Sequence, residues 1–198
     1  AHPESTSVDG AVYRQEPQPS GAAWSSIRSG AGEFASDSGV TYTTGILSAD
    51  DTGSGWEIIY RAAMLFDTSA LGATATISSA TWQFVSTNKT NNLTDAQSVR
   101  VVSVDPSSNT GLVTGDYAVA NWGTIGYTAD FTIAGVTSDS STYNSYALNS
   151  DGLAAIEKTD ITKFGIRIVS EVTNSEPAHS GLTNKYARVV FASAEENL

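Results

Sequence analysis

The chain has 198 residues, no cysteine and a net charge of −11, from 10 Lys+Arg against 21 Asp+Glu. So acidic a surface repels a phosphate backbone and an anionic bilayer, which argues against nucleic acid and lipid headgroups as partners. No apolar run approaches the roughly 20 residues a membrane span requires, and without thiols neither a disulfide framework nor a Cys-based metal site is open to it.

This length suits one all-β domain able to bury a full core. Residues 1–7 are small and polar and read as a flexible N-terminal segment, with residues 8–198 as a single domain. Ala1-His2-Pro3-Glu4 lacks the charged and apolar parts of a signal peptide, which leaves a removed leader and a trimmed initiator methionine both open. Val8–Arg14 reads as a first strand, stopped by the proline-containing run from Glu16 to Gly21. Trp24 and Ile27 are expected to pin a loop, and Gly30, Gly32 and Gly39 punctuate the approach to a strand over Val40–Leu47.

After the turn Ser48–Gly55 comes the stretch around which the chain is organised. Ile58–Phe66 is apolar on both faces except at Arg61, for which Asp67 is the nearest candidate partner. Asp67, Thr68 and Ser69 break the run with side chains that bond back to local backbone. From Ile77 a period-2 pattern resumes, with Ala80, Trp82 and Phe84 alternating against Ser79, Thr81 and Gln83. A polar loop is predicted over Thr87–Asp95, then strands over Val99–Val104, Ile125–Ile133 and Tyr143–Leu148. One helix is predicted over Gly152–Lys158, capped by Ser150 or Asp151. Thr162–Val169 alternates cleanly, placing Phe164, Ile166 and Ile168 inward and Lys163, Gly165 and Arg167 outward. A last strand falls at Tyr186–Ala192.

About eight to ten short strands with Gly/Ser/Asp/Asn turns predict an all-β fold, a two-sheet antiparallel jelly-roll sandwich with one short helix. Three stretches carry a family resemblance: VDGAVYRQ with AAWSSIRSGAG, YRAAMLFDTSALGATATISSATWQF, and YALNSDGLAAIEKTDITKFGIRI. Over about residues 8–192 the chain resembles the modules related to DNRLRE-type domains, found in phage virion proteins and prokaryotic surface proteins. The resemblance implies a β-jelly roll without a catalytic role, and some relatives look like carbohydrate-binding modules attached to polysaccharide lyases. The chain departs from that pattern in lacking the usual closing strand, so a strand missing or supplied in trans is expected.

Nucleophilic catalysis would need an activated hydroxyl beside a base. The histidines are His2 and His179, both in polar segments, and no G-x-S-x-G elbow surrounds a serine. A structural Ca²⁺ held by acidic loops is the one cofactor considered, with Asp9, Asp50 and Asp51 as candidate ligands; otherwise none is expected. Asn149-x-Asp151-Gly152 resembles a calcium loop, but the register fails and a helix cap is the better reading of Asp151. For a glycan, the candidate stacking rings are Trp24, Trp56, Trp122 and Tyr143, near loops or strand ends, with core packing as the plain alternative. Asn88-Lys89-Thr90 and Asn92-Leu93-Thr94 are two glycosylation sequons.

The expected function is that of a non-enzymatic module of a virion or cell-surface assembly, extracellular or on a virion, serving in decoration, adhesion or scaffolding. Its expected partners are other protein subunits, as a homo-oligomer or larger surface assembly. The alternative is a carbohydrate-binding module recognising a polysaccharide through exposed aromatics. A carboxylate-dependent glycan-active enzyme is the third reading, kept because two acids can meet in space without a sequence signal.

Overall fold

The longest strand, β4 (Trp56–Asp67), is where the sheet divides. In the computed structural model, which describes residues 8–17, 21–39, 41–48, 55–178 and 185–193, one edge of β4 pairs with β1 (Asp9–Gln15) from Gln15↔Ile58 to Asp9↔Met64. Its other edge is shared. β3 (Thr41–Ser48) takes Trp56 to Tyr60, and β9 (Ile161–Ile168) takes Ala62 to Asp67. The Thr44 hydroxyl sits in the fork and donates to the Ile166 carbonyl at 2.9 Å, so the ladder loses no acceptor where the two strands part.

From the fork one arm runs through β3, β10 (Tyr186–Ala192), β5 (Thr81–Asn91) and β8 (Tyr143–Ala147). The other runs through β9, β6 (Ser98–Ser103) and the two-residue β7 (Phe131–Thr132). Three-residue β2 (Phe34–Ser36) lies on the far side of β1. Every pairing is antiparallel. The sheet curls until its two ends meet. Phe131 of β7 stacks on Tyr146 of β8 at 4.1 Å, and lies 5.8 Å from Phe84 and 6.1 Å from Trp82 of β5. Phe191 of β10 closes this aromatic core against Phe84 at 4.7 Å.

The chain is thus mostly β with a curled antiparallel sheet, and several predicted elements change. The helix is α2 (Ser150–Ala154), shorter than predicted, and its cap is Asn149, whose side chain accepts from the Gly152 N–H at 2.9 Å. Two more short helices exist, α1 (Trp24–Ser29) and α3 (Val169–Thr173). The predicted strand over Ile125–Ile133 shrinks to β7, with Ile125 63% exposed: the segment runs beside β6 but bonds to it only at scattered points, such as the Tyr127 N–H on the Val101 carbonyl at 2.8 Å, and makes a ladder only at Phe131–Thr132. Conversely the loop predicted over Thr87–Asp95 is mostly strand, since β10 pairs with β5 as far as Asn91. The first strand is paired with both β4 and β2.

Candidate functional site

Two constellations stand out, one buried and one open. In the buried one Arg61 and Arg167 project from neighbouring strands to the same side, and both grip the Glu171 carboxylate from α3. Arg61 Nη2 donates to Glu171 Oε1 at 2.8 Å, and Arg167 donates to both carboxylate oxygens through Nε and Nη2. Arg28 of α1 adds a guanidinium 3.6 Å from the same carboxylate. The surplus positive charge is met by backbone carbonyls of Arg28, Tyr117, Trp122 and Gly123. The Arg61 guanidinium also lies 3.9 Å from the centre of the Tyr117 ring. Burial pushes the Glu171 carboxyl up, but the pull of Arg61 and Arg167 outweighs it and leaves the group below the ordinary carboxylate range.

Two expectations are corrected here. Arg61 pairs with Glu171 and not with Asp67, whose carboxylate turns back to the Ser69 N–H at 3.0 Å and hydroxyl at 2.6 Å. Arg167 and Gly165, expected outward, are buried, because that face of β9 is covered by Trp122 and the 3₁₀ turns before it. Trp122 lies so close over Gly165 that a Cβ there would meet its ring at 2.8 Å.

The open constellation is a row across the outer surface. Phe34, Tyr13, Tyr60, Gly45, Arg188 and Thr90 are directly opposed in turn, on β2, β1, β4, β3, β10 and β5. Directly opposed residues share a face, so the side chains form one line. Phe34 and Tyr13 stack at 4.6 Å with 12° between planes, and Tyr13 tilts onto Tyr60 at 4.7 Å. At Gly45 the line has no side chain. A Cβ there would come within 2.6 Å of the Arg188 Cβ, so glycine is what lets Arg188 cross. The Arg188 guanidinium then reaches over the Tyr186 ring at 4.9 Å.

Arg188 differs from the other arginines. Arg14, Arg28, Arg61, Arg100 and Arg167 each bond a carboxylate or a carbonyl, whereas among the described residues Arg188 has no hydrogen bond or ion pair. Burial by its neighbours, with Tyr13 beside it, raises the Tyr60 phenol, so the row carries a neutral hydroxyl next to a cation at physiological pH.

Of the aromatics nominated from sequence, Trp24, Trp56 and Trp122 are buried, which corrects their assignment to a stacking surface: they serve packing. Trp24 meets Trp56 edge-on at 5.1 Å. The Trp56 indole donates to Glu176 at 2.8 Å and the Trp122 indole to the Asp116 carbonyl at 2.7 Å. Tyr143 is 63% exposed on β8, apart from the others. Asp9 lies inside β1, buried opposite Met64, instead of in a loop. Asp50, Asp51, His2 and His179 lie outside the described residues. Among the described residues no three His, Asp or Glu side chains come together as ligands for one ion. Asn88 is exposed on β5; Asn92 is exposed just beyond it, with its side-chain carbonyl accepting from the Tyr186 N–H at 2.6 Å.

Tyr13 and Tyr60 were already placed on strands by the sequence pattern, yet the row they form was not foreseen. Which strand lies beside which is a long-range choice that alternation does not encode. Comparison of the chain with protein-family models, with curated proteins and with solved structures returned no match. No helix is long and apolar enough to cross a membrane among the described residues.

Proposed function

We propose that the chain is a non-enzymatic β-jelly-roll module of an extracellular or virion-surface assembly, working in decoration, adhesion or scaffolding. The observation that carries this reading is the outer row, laid across successive strands and holding a guanidinium, that of Arg188, with no hydrogen-bond or ion-pair partner among the described residues. Half-buried rings fixed by strand register lose little freedom when something is laid against them, which favours contact by such a surface.

The second reading, favoured by Arg188 on the Tyr186 ring, is that the thing contacted is a polysaccharide. Sugar C–H groups pack against aromatic side chains, and hydroxyls or carboxylates on the sugar would accept from the Arg188 guanidinium, which has no hydrogen-bond partner among the described residues. The test is affinity electrophoresis through gels holding anionic or neutral polysaccharides, with the same mixtures assayed for new reducing ends. The expected outcome is retardation without product, reduced at least about tenfold in affinity by Arg188→Ala, since a charge-assisted bond contributes about 1.5–3 kcal/mol. Release of reducing ends would overturn the non-enzymatic reading. Retardation unchanged by Arg188→Ala would remove the row.

A further inference from the structure

Strand β8 ends one arm of the sheet, and β5 is its one sheet partner among the described residues. The Leu148 N–H donates to the Ala80 carbonyl at 3.0 Å. By the alternation of an antiparallel ladder, Tyr146 and Asn144 also turn their backbone groups toward β5, and Tyr143, Ser145 and Ala147 turn theirs outward. The side chains of those three residues are exposed.

Sheet edges in native proteins are ordinarily shielded by charge, proline, bulges or shortness. The other terminal strands are short, with two residues in β7 and three in β2. β8 has five residues, an unbroken register with β5, and neither proline nor charge anywhere from Ser140 to Ser150. In a chain of net charge −11 a neutral edge is where two copies can approach with least repulsion.

We propose that β8 is a self-association edge, pairing antiparallel with β8 of a second copy about a two-fold axis through Ser145. The inference rests on the assembly reading above in taking a second copy as the occupant. In this register the outward groups of Tyr143, Ser145 and Ala147 meet those of Ala147, Ser145 and Tyr143 of the other copy, giving about six hydrogen bonds. Each Tyr143 ring faces a small Ala147, so the pair fits without a clash. Each copy carries a net charge of −11, so added salt strengthens the dimer by screening their mutual repulsion.

The test is sedimentation velocity of the full chain over a dilution series at low and moderate salt. The wild type is expected to show a monomer–dimer equilibrium that shifts toward dimer with salt. Ser145→Pro removes an N–H that faces away from β5, a position where an edge strand tolerates proline, and is expected to be a monomer with an unchanged melting temperature. If that variant does not fold, Ser145→Lys places a charge at the axis and is expected to be monomeric as well. A wild type that stays monomeric throughout, or variants that dimerise like the wild type, would overturn the proposal. A dimer that survives both variants leaves the assembly reading standing without β8.

Discussion

Glu171 is a single carboxylate facing three guanidinium groups in the interior, and its removal leaves Arg61 and Arg167 buried without a counter-ion. Breaking such a cluster costs about 3–5 kcal/mol, so Glu171→Gln should lower the denaturation free energy by that order in a urea titration; a change within about 0.5 kcal/mol would contradict the assignment. The pH dependence follows from the same pairing. The folded-state value of Glu171 lies below its unfolded value, so the stabilisation is complete above the unfolded value of about 4.3 and is lost as pH falls through the folded value. Between about pH 6 and about pH 3 the wild type should therefore lose more stability than Glu171→Gln. The need for a partner at Arg61 was legible in the sequence as a lone charge in an apolar run. Its identity was not, because Glu171 is distant in the chain and reaches Arg61 only after β9 docks on β4. Arg167 was misplaced for a related reason: alternation gives the face opposite Ile166 but not what covers it, and Trp122 covers it.

At the scale of elements, the fork on β4 decides which residues share a surface. Thr44 is fully buried there, with its hydroxyl on the Ile166 carbonyl. Thr44→Val keeps the shape and removes the donor, leaving a carbonyl short of a partner, and should cost about 1–3 kcal/mol in thermal or chemical unfolding. A neutral result would mean that the fork is held by packing alone. The long strands were legible because their side chains alternate over enough residues: β10 falls at Tyr186–Ala192 as predicted, and β9 is shifted by one residue. α1 and α3 were not, since six and five residues are too few to display a helical period. β7 escaped for the converse reason: Ile125 and Tyr127 continue its alternation, yet the stretch meets β6 only at scattered hydrogen bonds before the two-residue ladder.

On the scale of the molecule, the curl separates two kinds of chemistry. The inner surface gathers Trp82, Phe84, Phe131, Tyr146 and Phe191, while the outer surface carries Phe34, Tyr13, Tyr60, Arg188 and Tyr186. Residue type alone does not distinguish these sets, which is why Trp24, Trp56, Trp122 and Tyr143 drew attention in sequence and Tyr13, Tyr60 and Tyr186 did not. The proposed account assigns stability to the buried arginines and recognition to the outer one. Paired melting and affinity-gel measurements on Arg188→Ala and Glu171→Gln test that division most directly. It predicts that Arg188→Ala keeps the wild-type melting temperature and loses retardation, and that Glu171→Gln melts lower yet is retarded normally while folded. The reverse pattern, or both properties falling together in both variants, would contradict it.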